Sequence, residues 1–119
     1  VVGMIADGEV TLTTTDERPK GPRTRRREER ELQASVVELA TVLGYRVYHT
    51  FDSRRSAPGF PDLILIRDTR LVAIECKSST GKLSDPQREW LRAFDAVRQV
   101  DAIVVRPGAT LGLVEMFLR

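Results

Sequence analysis

Asp62, Glu75 and Lys77 are the residues of this chain whose types and spacing could do chemistry. They flank two short apolar runs, Leu63 to Ile66 and Leu71 to Ile74, separated only by the polar stretch Arg67 to Arg70. Two β-prone runs with a short polar link read as an antiparallel hairpin. With Asp68-Thr69 as a two-residue loop, Arg67 faces Arg70, and counting back along both strands sets Asp62 opposite Glu75. Directly paired residues lie about 4.5–5.5 Å apart at Cβ, on one face. Lys77 shares that face with Glu75 because side chains alternate along a strand. A three-residue loop would slip the register by one and turn Asp62 away from Glu75.

Two carboxylates and a lysine ending apolar strands have two readings. One is a salt-bridged strand end. The other is a hard-cation site, since Mg²⁺ is held by one or two carboxylates, water and phosphate oxygens. Such an ion polarises a phosphodiester and makes a bound water more acidic. Lys77 would then orient that water, help deprotonate it, or offset charge growing on the phosphate.

The elements that must position these groups are legible around them. Leu32, Val36, Leu39, Ala40 and Leu43 recur at helical spacing, predicting a first helix over Thr24 to Leu43 with Gly44 after its last turn. Glu29 and Gln33 continue the apolar stripe through Val36, Ala40 and Leu43, whereas Glu31 falls on the wetter face. A carboxylate and an amide on a buried stripe are costly unless paired. Tyr45 to Phe51 reads as the first strand of the core and carries the chain's one histidine, His49, which reads as structural. Asp52 to Pro58 is a polar loop leading into the site, where Arg54, Arg55 and Ser56 could contact phosphates. Gly59 suits a close backbone approach, and Pro61 fixes the entry to the strand. Ser84 or Asp85 can cap a second helix, with Pro86 just inside its start, running to about Arg98. Gln87 precedes Trp90 and Leu91 on its apolar side and points inward; bonding to the helix-end backbone is its competing role. Ala102 to Val105 is a further strand. The apolar tail Leu111 to Leu118 either seals the sheet as a last helix or forms a subunit interface.

Pro61-Asp62, a spacer and Glu75-Cys76-Lys77 resemble the PD-(D/E)XK nuclease motif. Ser56 to Asp62 before it and Gly81 to Leu91 after it are similar to the VRR-NUC branch, the virus-type replication and repair nucleases. The likeness covers roughly Glu28 to Pro107. It implies an α/β fold with a mixed sheet flanked by helices in the order α-β-β-β-α-β. It also implies a DNA endonuclease dependent on Mg²⁺ or Mn²⁺ and selective for branched or junction DNA in replication, repair or recombination. Asp62 and Glu75 would bind the metal together with the backbone carbonyl of Cys76, whose own side chain alternates to the other face and reads as packing. The family places a glutamate on the first helix that reaches the metal, usually through water. Position favours Glu29, with Glu28 and Glu31 as alternatives, and a first-turn acid favoured by the helix dipole is the plainer account. The family also sets a glutamine beside the catalytic carboxylates, here Gln87. A non-catalytic nucleic-acid-binding module that keeps the fold is the competing function, and retention of Asp62, Glu75, Lys77 and Gln87 together weighs against it.

At 119 residues the chain is one domain by length, with the 41% hydrophobic and 30% charged content of a globular protein. No apolar run approaches the ~20 residues of a membrane span, and no secretory signal pattern opens the chain. A single cysteine cannot form an internal disulfide, which fits a reducing cytoplasm. The net charge of +2 is modest, so its distribution matters more than its sum. Residues 1 to 14 read as a small hairpin turning at Asp7-Gly8 or as an unstructured leader. From Asp16 to Arg27 two prolines, a glycine and clustered arginines read as a linker, whose Arg25, Arg26 and Arg27, with Lys82 beyond the motif, are candidate DNA contacts. The expected division is an N-terminal arm over 1–23 and a nuclease domain over 24–119. A homodimer is expected, because one metal site cuts one strand and branched DNA calls for paired incisions.

Overall fold

The computed structural model describes residues 3–6, 9–12, 21–51, 55–108 and 111–119. Six strands form one mixed sheet in the order β1-β2-β6-β5-β4-β3. They are β1 (Gly3–Ala6), β2 (Glu9–Leu12), β3 (Arg46–His49), β4 (Leu63–Arg67), β5 (Arg70–Cys76) and β6 (Val100–Val105). Among the described residues three helices, α1 (Pro22–Val42), α2 (Asp85–Asp95) and α3 (Leu111–Leu118), accompany the sheet. This is the expected α/β class, with β1, β2 and α3 added to the α-β-β-β-α-β core. Among the described residues, no helix is long and apolar enough to cross a membrane.

The β4–β5 hairpin has the two-residue link, not the three-residue one that would have slipped the register. Arg67 pairs with Arg70 and Leu63 with Ile74, so the register carries Asp62 opposite Glu75. Asp68 makes the turn with φ at +53°, a left-handed conformation that Asp tolerates better than most residues. β6 runs parallel to β5 on the other side, with Ala73 against Ala102 and Glu75 against Val104. β3 lies antiparallel to β4 at the sheet edge. The N-terminal hairpin joins the sheet as well, β2 pairing in parallel with β6.

Alternation sorts the strand residues between two cores. Leu63, Leu65, Val72, Ile74, Cys76, Ile103 and Val105 pack with Val36 and Ala40 of α1 and with Val114 and Leu118 of α3. Ala73, Ala102 and Val104 pack on the opposite face with Leu83, Leu91 and Phe94 from α2 and the segment before it. α3 therefore seals its own sheet through Val114 and Leu118, which are 1% and 0% exposed.

Three boundaries differ from the sequence reading. α1 starts at Pro22 after the extended Gly21, because proline is preorganised for a first helical position. Arg25, Arg26 and Arg27 thus stand on helical turns, as the helix expected from Thr24 has them, and the linker reading that ran on to Arg27 does not hold for them. α2 stops at Asp95 with Ala96 as its C-cap, leaving Val97 beyond the helix and 55% exposed. β3 is four residues long, shorter than the run from Tyr45 to Phe51. The Asp7-Gly8 turn, residues 13–20 of the arm and Arg54 lie outside the described residues.

Gly59 is the joint between the loop that carries Asp62 and the start of α2. Its φ is +82°, and a Cβ there would lie 2.4 Å from the Pro86 carbonyl carbon and 2.5 Å from the Gln87 nitrogen. Gly59→Ala combines backbone strain with a backbone clash, together costing about 2–4 kcal/mol. A thermal melt should show a fall of several degrees, whereas an unchanged midpoint would contradict this close approach.

Candidate active site

The end of the sheet where β4 begins and β5 finishes is covered from both sides. Glu29 and Gln33 reach it from α1, and Gln87 reaches it from the first turn of α2.

Ser84 caps α2 in a reciprocal box: its hydroxyl accepts from the Gln87 backbone N–H at 3.3 Å, and the Gln87 Oε1 accepts from the Ser84 backbone N–H at 2.9 Å. The box leaves the Gln87 amide nitrogen free to turn towards the sheet, where it donates to Glu75 Oε2 at 3.0 Å. Gln87 therefore serves the helix end and the carboxylate together. Ser84 to Gln87 is an S-x-x-Q capping pattern, so both halves of this geometry had a sequence signal.

Glu75 is 3% exposed. Its Oε2 takes the Gln87 bond, while its Oε1 is buried with no hydrogen-bond partner among the described residues. Lys77 Nζ stands 4.0 Å from Oε2, beyond hydrogen-bond length. The pair is therefore an ion pair at the outer limit of contact, with no hydrogen bond between its members. Burial, and then the charge of Asp62, push the Glu75 carboxyl up to about 9, against the lowering effect of Lys77. Asp62 is also raised, chiefly by burial, although its Oδ2 accepts from the Cys76 backbone N–H at 2.9 Å and Lys77 acts to lower it. Glu29 is raised by burial as well, offset by Lys77 and by the Ser78 N–H that its Oε2 accepts at 3.3 Å. The buried Glu75, the half-buried Asp62 and Glu29, and one ammonium thus share a single field, a state that burial makes expensive.

These residues fit a hard divalent cation. The donor set is oxygen, and one buried carboxylate oxygen has no hydrogen-bond partner among the described residues. Among the described residues no three His, Cys, Asp or Glu side chains converge as a ligand set. A cation here would rely on Asp62, Glu75, a backbone carbonyl such as that of Cys76, and water, which is the habit of Mg²⁺. The Cys76 side chain lies fully buried in the α1-side core, and burial holds its thiol well above the usual range.

The candidate DNA-contacting residues spread around this centre. Arg25 is on the Glu29 side of α1 and acts on its carboxylate. Arg26 instead lines a groove of about 400 Å³ with Pro22, Arg23 and Arg30. Arg27 faces Glu31 at 3.8 Å on the exposed back of the helix. Arg55 and Ser56 are exposed in the loop before Gly59, and Lys82 is exposed in the loop after β5.

Two features lay beyond the sequence reading of the site. Arg106, just after β6, donates to the carbonyls of Ser78 and Gly81 at 2.9 and 2.5 Å and so holds the loop that follows Lys77. Its only sequence signal is a charge directly after an apolar run. Gln33, already conspicuous as an amide on an apolar stripe, hydrogen-bonds Asp62 and meets His49 Nε2 at 2.5 Å through its Oε1.

A family model described as the VRR-NUC domain matches residues 19–107. No curated protein and no solved structure gives a significant match.

Proposed function

We propose, from the premise that the chain belongs to the VRR-NUC domain family of PD-(D/E)XK-like fold, that it is a divalent-metal-dependent endonuclease acting on branched or junction DNA. Membership by itself carries a nuclease-type function with DNA as substrate, and PD-(D/E)XK nucleases generally use divalent metals. The metal dependence and the preference for branched DNA are our reading. The observation that carries it is Glu75, a carboxylate 3% exposed whose Oε1 has no hydrogen-bond partner among the described residues, with the Lys77 ammonium 4.0 Å from its Oε2.

Asp62, Glu75 and the Cys76 carbonyl would hold Mg²⁺ or Mn²⁺. When bound, the ion polarises the phosphodiester and makes a nearby water more acidic. Gln87 fixes the orientation of Glu75 through Oε2, leaving Oε1 to the cation. Lys77 carries an ammonium where negative charge builds on the phosphate and where a water proton must be managed. Glu29, by family likeness, assists through water. Arg25, Arg26, Arg27, Arg54, Arg55, Ser56 and Lys82 would contact the DNA backbone, which positions a substrate without reading its sequence. Two chains about a two-fold axis would deliver the paired incisions that a junction requires. With Val114 and Leu118 used within the chain, Val42, Tyr48 and Phe51 near the β3 edge, 78%, 63% and 87% exposed, remain as apolar surface for that pairing.

A cleavage panel of four-way junction, fork, duplex and single strand, with Mg²⁺, with Mn²⁺ and with EDTA, tests the proposal. Metal-dependent shortening of the branched substrates is expected. Retarded but uncut DNA in every lane would identify a binding module that keeps the fold.

A further inference from the structure

Asp62 is framed by three elements at once. Its Oδ2 accepts from the Cys76 backbone N–H of β5 at 2.9 Å. Its own carbonyl accepts from the Thr50 backbone N–H at 2.9 Å, and the Thr50 hydroxyl donates to the Pro61 carbonyl at 2.9 Å. Its carboxyl also meets the side chain of Gln33 from α1. The other end of that amide meets His49 of β3, Gln33 Oε1 to His49 Nε2 at 2.5 Å. His49 pairs with Leu63, the residue after Asp62, and the Phe51 ring packs edge-on against it at 4.4 Å.

The donors and acceptors in this chain run in one direction. An ionised carboxylate only accepts, so the Gln33 NH₂ must face Asp62. Its carbonyl oxygen then faces His49, and His49 Nε2 must carry the hydrogen that closes the contact. A glutamine amide without that partner is free to turn over. Reversed, it would set a carbonyl oxygen against a carboxylate.

We infer that Gln33 and His49 are a positioning pair for Asp62: Gln33 orients the carboxylate toward the cation, and His49 fixes which end of the Gln33 amide it sees. The inference rests on the metal-site reading of Asp62 and Glu75. His49 contacts Gln33 and not the carboxyl of Asp62, on which it also acts through charge at a distance. Partners that orient a ligating side chain in this way typically change metal affinity by about 10–100-fold when removed.

Calorimetric titration with Mn²⁺, in the absence of DNA, tests the pair. His49→Leu and Gln33→Met keep shape and remove the hydrogen bonds, and each should weaken Mn²⁺ binding about 10-fold or more. His49→Gln places an amide N–H near the position of Nε2 and should restore affinity to within about threefold of wild type. Because the hydrogen bond of His49 works through Gln33, the loss in the double variant should be smaller than the sum of the two single losses, a non-additivity that separate structural effects would not give. Wild-type affinity in His49→Leu, failure of His49→Gln to rescue, or additive losses in the double variant would each overturn the inference while leaving the metal site standing. A wild-type protein that binds no Mn²⁺ would refute the metal-site reading itself, and this inference with it.

Discussion

Lys77→Ala will cut DNA about 10²–10⁴-fold more slowly than wild type, the usual loss when a positioned acid–base or charge-stabilising group is removed. Lys77 is a cation in the field of the buried Glu75 and the half-buried Asp62 and Glu29, acting to lower all three. Its side chain is 14% exposed and its ammonium stands 4.0 Å from Glu75, near the carboxylates but not hydrogen-bonded to the nearest. Removing it has two consequences that can be separated. The carboxylates become harder to ionise, so Mn²⁺ binding at neutral pH weakens and recovers as pH rises. The chemical step stays slow even when metal is saturating, because no group replaces the charge beside the phosphate. The fold should tolerate the change, since the carboxyls can take up protons in place of the lost neighbour. Single-turnover rates at saturating Mn²⁺, with gel-shift affinities in Ca²⁺, separate chemistry from binding. Wild-type rates in the variant would end the catalytic assignment of Lys77.

Glu75→Gln should reverse its sign with metal. Without metal, the folded-state pKa of Glu75 is about 9, above the ordinary 4.5. The folded state therefore holds a proton that the unfolded chain releases. Stability from this group is fully present below about 4.5 and is lost as pH rises towards 9. At pH 7 the penalty is of the order of 3 kcal/mol as an upper bound. A neutral glutamine removes it, so the variant should melt several degrees above wild type at pH 7 without metal, with the gap shrinking towards pH 4.5. With Mn²⁺ at about 100 times its Kd, wild type gains about 2.7 kcal/mol while the variant gains little. Cleavage by the variant should be lost, as it should for Asp62→Asn. Were Glu75 only the partner of Lys77 in a structural ion pair, the variant would melt lower without metal and keep its activity. Melting curves at pH 5, 7 and 8.5, with and without Mn²⁺, decide between the two.

Local chemistry in the sequence determined much of this arrangement. With Asp68-Thr69 as a two-residue link, a period of two carries Asp62 opposite Glu75; the sequence left a three-residue loop open, and the pairing of Arg67 with Arg70 decides for the shorter one. Helical spacing puts Glu29 and Gln33 on the inward stripe and Glu31 on the outer face. Ser84, Pro86 and Gln87 write the start of α2, and the mixed α/β class follows from the order of the elements. Each of these depends on residues a few positions apart, where turn geometry and periodicity decide. The end of α2 at Asp95 shows the limit of such reasoning, since Val97 continues the spacing but finds nothing to pack on. The tertiary structure decided what depends on covering and on distant pairing. Burial of Glu75 between the sheet and α2, and with it the raised pKa, requires both helices to be in place. The bond from Gln33 to His49 joins a helix to an edge strand, and Arg106 reaches the loop after Lys77 only because β6 lies parallel to β5. Desolvation and cross-element contacts are properties of the packed chain, and no spacing within one segment encodes them.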